Sequence, residues 1–191
     1  VGNDPKFYRE GLDIDGPAMF SHAMLYALDK NEANASRARD LLLAWTNSLT
    51  QVNTYEDFSD ASNNKEAAAM FLSRAMFQIV PAYDLIYDSS ALSSQDKSTI
   101  NGWLRKNATL ITSGMDRWFN SGSPMPCHNY SNHVSADLTG LMLIGYMLEV
   151  DTLTNNIISG DSLSTNWQKF LEKTIYMQGD PVIGCDQDIN N

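Results

Sequence analysis

Residues Lys65 to Tyr87, KEAAAMFLSRAMFQIVPAYDLIY, decide the fold class. Apolar side chains recur at three- and four-residue spacing through most of this stretch, the period of a helix and not of a strand. Pro81 is the one breach. Lacking an N–H and crowding the preceding turn, it predicts a kink or a division into two helices. Upstream, Pro17 stands where a helix prefers its first residue, and Met19, Phe20, Ala23, Met24, Ala27 and Leu28 follow at helical spacing. The polar Val1 to Asp15 leader is expected to run over the surface. After a turn at Asn31 to Asn34, Ala38, Leu41, Leu42, Trp45 and Leu49 make a second stripe, so these two helices should pack antiparallel.

Gln51 to Asn64 is polar and without period. Ser93-Ser94-Gln95-Asp96 then caps a helix through Ile100, Trp103, Leu104, Ala108 and Ile111, ending near Gly114 or slightly beyond. A loop rich in Ser, Pro and Gly spans Asn120 to Ser131, an apolar helix follows from about Asn132 to Leu148, and a last helix covers roughly Ser164 to Met177. No alternating pattern of any length is present, so the class is all-α, and successive hairpins point to an α/α arrangement. With 191 residues and 43% hydrophobic composition, residues 1–191 form a single helical domain with one sizeable core. The longest apolar candidate, Leu138 to Val150, falls short of the ~18 uncharged residues of a membrane span, so no membrane partner is expected. A net charge of −10 argues against nucleic acid and would repel a polyanion from the protein as a whole. An acidic substrate would therefore need local cationic or hydrogen-bonding groups.

The chemistry concentrates in Cys127-His128-Asn129-Tyr130-Ser131-Asn132-His133, at the mouth of the apolar helix. Two of the three histidines lie there. Packing alone rarely gathers two imidazoles, two carboxamides and a phenol in one turn, so a polar site is expected. Asn132 also suits a helix cap, with His133 as an ordinary first-turn residue. Arg74, in an apolar stretch, is expected either to pair with a carboxylate such as Asp84 or to face a cleft. Tyr83, Trp118 and Tyr55 suit stacking on pyranose faces, although aromatics at such spacing are more often core. Cys127 and Cys185 are the only cysteines, either bridged or two thiols. Asp186-Gln187-Asp188 lacks further ligands in register, so no metal is expected. Asn34, Asn107 and Asn129 each open a glycosylation sequon.

The order of Phe71-Leu72-Ser73-Arg74, Ala82-Tyr83-Asp84-Leu85-Ile86, Trp103-Leu104, Trp118-Phe119 and Asn132-His133, over roughly residues 64 to 150, resembles the alginate lyase family. That resemblance implies an α/α toroid, here an incomplete barrel of antiparallel helical hairpins, with an Asn-His pair at the start of an inner helix. It implies a polysaccharide lyase cleaving a polyuronate such as alginate by β-elimination, with no cofactor, acting on an acidic polysaccharide in a secreted or periplasmic location. Asn132 would hold the uronate carboxylate, and His133 would hold it or abstract the C5 proton. Hydrogen bonds that strengthen as charge builds on the carboxylate would lower the barrier to losing a poorly acidic proton. Tyr130 would be a substitute proton-transfer catalyst, with His128, Asn129, Arg74, Tyr83 and Trp118 binding substrate. Ser131 stands where the family usually has a first Asn. The family completes its site with an Arg and a Tyr from a later segment, whereas no arginine here follows Arg117 and the last tyrosine is Tyr176. The chain is therefore expected to be part of a longer toroid, leaving open its activity alone. Two rival readings are a glycoside hydrolase using opposed carboxylates, for which Asp84 and Asp137 are the nearest candidates, and a non-catalytic carbohydrate-binding domain.

Overall fold

The computed structural model describes residues 4–59, 67–120 and 132–148, the side chains of 116–120, 132, 134 and 135 excepted. Asp4 opens the first helix: its carboxylate accepts from Lys6 N at 2.9 Å, Pro5 takes the first helical position, and α1 runs from Pro5 to Asp29. The supposed surface leader is thus helical from Pro5 onward. Pro17 lies inside α1 and not at its start. Burial explains the difference, because Tyr8, Leu12 and Met19 return to the core at helical spacing and Asp15 accepts from Trp45 Nε1 at 3.1 Å. Lys30, in the left-handed region at φ 56°, ends α1, and Asn31 caps α2 (Glu32–Thr46) by accepting from Ala33 N at 3.0 Å. Ala35, Ala38, Leu42 and Trp45 form the buried stripe of α2.

The aperiodic segment holds a short 3₁₀ turn, Tyr55–Asp57, in which Asp57 accepts from Asn53 N and Thr54 N, each at 2.8 Å. Tyr55 and Phe58 fold inward from it, Phe58 packing against both Tyr55 and Tyr8. Next, α3 (Ala68–Ile86) passes Pro81 without division. Most of α3 is buried, and that packing outweighs the roughly 3 kcal/mol a proline costs inside a helix. The helix α4 (Ser94–Asn120) begins at the expected box, in which Asp96 N donates to Ser93 Oγ and Ser93 N to Asp96 Oδ2. It continues well past Gly114. That glycine serves close approach and not termination: a Cβ there would lie 2.4 Å from Ala69 Cβ and 2.6 Å from the Tyr55 ring. The last described helix, α5, covers Asn132–Met147.

Direction follows from the contacts. Trp45 returns to Asp15, so α1 and α2 are antiparallel. Tyr83 meets Asn101 while Ala69 meets Gly114, so α3 and α4 are antiparallel. Along α2, Glu32 and Arg39 reach Ser89 and Ala91 just before α4, while Leu49 O accepts from Lys106 Nζ at 2.6 Å. Hence α2 runs with α4, and α1 runs with α3. The central helix α3 packs on both α1 and α5, while α2 and α4 lie together behind them, giving two helical layers. Among the described residues there is no strand, and no helix is long and apolar enough to cross a membrane.

Candidate functional site

The first turn of α5 carries Asn132 and His133. His133 is half-buried, with its Nδ1 out of solvent. One turn later Asp137 is fully buried at the contact with α3, and Ser73 Oγ lies 2.9 Å from its Oδ1. The same Ser73 Oγ is 2.8 Å from Ala69 O, four residues back along α3. Gly140, a further turn along α5, lets the two backbones approach: a Cβ there would stand 2.8 Å from Ser73 Cα. Small residues on both helices thus draw a carboxyl group into an apolar interface.

Two consequences follow for Asp137. Burial disfavours its charge and pushes the carboxyl up to about 7, offset only in part by the Ser73 hydroxyl. The hydrogen inventory gives the same preference. Ser73 has one hydroxyl hydrogen and two oxygen neighbours, Ala69 O and Asp137 Oδ1. With a carboxylate, one of these contacts lacks a hydrogen; with a neutral acid, Asp137 donates to Ser73 and Ser73 donates to Ala69 O. Asp137 Oδ2 is buried with no partner among the described residues, which costs a neutral carbonyl oxygen far less than an anionic one. A carboxyl held so close to neutrality can exchange a proton in the physiological range, but its full burial keeps it from touching a polymer directly.

Arg74, beside Ser73 on α3, is exposed, as is Asp84. Among the described residues the two form no ion pair with each other, so the expected buried pairing gives way to a solvated guanidinium open to an anion. Tyr83 has no exposed surface. Its hydroxyl donates to Asn101 Oδ1 at 3.0 Å, its ring packs on Tyr87 at 5.4 Å, and burial pushes its phenol up, so it is a core residue and not a platform for a sugar. Tyr55 is likewise buried. The Asn107 sequon is closed to a glycan in the folded chain, since that side chain is buried and donates to Trp103 O at 2.9 Å. His128, Asn129, Tyr130, Cys127, Cys185, Asp186 and Asp188 lie outside the described residues, as do the side chains of Trp118 and Asn132. So does the Ser164 to Met177 helix. Among the described residues no group of three His, Cys, Asp or Glu side chains could hold a metal ion.

The residue that sequence reasoning undervalued is Asp137, which entered only as a candidate carboxylate of the rival hydrolase. Its signal was present: a lone carboxylate between Ala136 and Leu138, with Gly140 close behind and Ser73 as a hydroxyl in the apolar run of α3. Nothing in either stretch reveals that the two residues meet. The chain matches no protein-family profile, no curated protein and no solved structure.

Proposed function

We propose that the chain is part of an α/α-toroid polysaccharide lyase that cleaves a polyuronate such as alginate by metal-independent β-elimination. The observation that carries this reading is the place of Asn132-His133: the pair opens α5, a helix packed on the central helix α3. The two-layer order, with α1, α3 and α5 in front of α2 and α4, supports a toroidal plan in which the front helices line the site. At the head of α5 the unsatisfied backbone N–H groups carry partial positive charge, which favours a uronate carboxylate. The exposed Arg74 adds a cation on the neighbouring helix. Local groups of this kind offset the repulsion from a net charge of −10.

In the reaction, Asn132 and His133 hydrogen-bond the substrate carboxylate as negative charge moves onto it from C5. His133 in its neutral form accepts the C5 proton, the C5 electron pair forms the C4–C5 double bond, and the C4–O bond breaks with its electron pair going to the departing oxygen, which takes up a proton from water. The hydrolase alternative finds little support. Asp84 lies three turns beyond Ser73 on α3, roughly 16 Å along the axis from the residue that holds Asp137, whereas hydrolytic carboxylates sit about 5–9.5 Å apart across a sugar.

The test incubates the full-length protein that contains the chain with polymannuronate and polyguluronate and follows the ultraviolet absorbance of the unsaturated product. Turnover that falls roughly 10²–10⁴-fold in a folded His133→Ala variant is the expected result. Binding without product favours a carbohydrate-binding domain, and reducing ends without unsaturation favour a hydrolase.

A further inference from the structure

Asp137 is too deeply buried to touch a polymer, yet it sits one turn from the residues that open α5. We propose that Asp137, as the neutral acid, is the positioning residue of the candidate site: by donating to Ser73 it latches the Asn132-His133 turn to α3, and losing its proton releases that turn.

The geometry supplies the mechanism. Ser73 Oγ stands between Ala69 O at 2.8 Å and Asp137 Oδ1 at 2.9 Å, so a relay of two hydrogens runs from α5 through Ser73 into the backbone of α3. The relay is complete only when the carboxyl carries a proton. Gly140 brings the helices near enough to make it, and Leu138, Leu141 and Ile144 seal this part of α5 from water. Ionisation removes one hydrogen from the relay and leaves a charge in an apolar interface.

Among the described residues no neighbouring charge compensates for that loss. On α5 itself the other titratable side chains are His133 and the exposed Tyr146, and from α3 Ser73 is the facing group while the adjacent Arg74 is exposed. On α4, Arg105 is exposed, Lys97 lies over the Tyr87 ring, Lys106 donates to Leu49 O and Asp96 is bound to Ser93. Asp116 and Arg117 have side chains outside the described residues. Among the described residues burial and Ser73 set the ionisation of Asp137, and burial is the larger influence.

Backbone amide exchange across α5 tests the latch in the whole chain without reference to any substrate. Corrected for intrinsic chemistry, protection in the first two turns should fall roughly hundredfold between about pH 5 and about pH 7, because the opened form has lost a proton that the closed form keeps. In Asp137→Asn, whose amide donates to Ser73 without titrating, protection should stay flat. In Ser73→Ala it should be lower throughout. A flat wild-type profile, an Asn variant that follows the wild type, or unchanged α5 protection in Ser73→Ala overturns the proposal, and the wild-type profile decides even if a variant fails to fold. A second arm rests on the lyase reading: turnover of polyuronate should decline in the wild type above about pH 7 and persist there in Asp137→Asn. Absence of product at every pH from the full-length protein that contains the chain, with the exchange behaviour intact, removes the lyase reading and supports the latch.

Discussion

Alanine substituted at Gly140 and at Gly102 should move stability in opposite directions, although both glycines lie inside helices. At Gly102, exposed on α4, an added Cβ meets nothing within 4 Å, so only the helix-propensity gain of about 1 kcal/mol remains. At Gly140 the same gain is opposed by collision. The new Cβ would lie 2.8 Å from Ser73 Cα, 2.9 Å from Ser73 Cβ and 3.1 Å from Ser73 O. Two of these atoms are backbone, so no rotamer relieves the contact and α5 must shift away from α3. Overpacking of this kind costs about 1–3 kcal/mol, and the shift also strains a hydrogen bond worth about 1 kcal/mol between Ser73 and Asp137. The net loss at Gly140 should be about 1–2 kcal/mol. Thermal unfolding followed by circular dichroism resolves this, since a chain of 191 residues moves about 2–4 °C per kcal/mol. Gly102→Ala should raise Tm by about 2–4 °C and Gly140→Ala lower it by about 2–8 °C. Equal shifts, or a rise at Gly140, would refute the close approach of α5 to Ser73 on which the candidate site is built.

Stability should also decline as pH rises from about 4 to about 7. Asp137 is raised to about 7 from its ordinary 3.8, so across that window the folded chain keeps a proton that the unfolded chain has lost. The slope is about 1.4 kcal/mol per pH unit and the whole effect on the order of 4 kcal/mol, absent from Asp137→Asn. Glu32, Asp57 and Asp96, each held below its ordinary value chiefly by hydrogen bonds from Ser89, Thr54 and Ser93, act in the opposite sense: their stabilisation is lost as pH falls through their folded values. Urea unfolding of wild type and variant side by side therefore isolates Asp137, and parallel pH curves would contradict its burial as a neutral acid. Tyr83→Phe removes the bond to Asn101 and should cost about 0.5–1.5 kcal/mol of stability while leaving kcat and KM on polyuronate unchanged. A raised KM at full stability would return Tyr83 to the binding surface.

The sequence by itself determined the all-α class, because helical periodicity is a local property and survives in each segment separately. Ala68 to Ile86, the described body of the Lys65 to Tyr87 stretch, the Ser93 box and the Ala38, Leu42, Trp45 stripe all became helix as read. Local signals failed where distant contacts overruled them: Pro17 and Pro81 stand inside α1 and α3, and Gly114 inside α4, because burial on neighbouring helices outweighs what a breaker costs. The Asn132-His133 pair was legible because unusual residue types cluster along the chain. Its support was not. Ser73 and Asp137 lie 64 residues apart, and neither carries a local mark of the other. Only the packing of α5 on α3, made close by Gly140, puts a hydroxyl beside a buried carboxyl and turns a surface-like aspartate into a group that holds its proton near neutral pH. Tyr83 reverses the case: its sequence offered a ring for a sugar, and the layer of α4 over α3 closed that ring into the core.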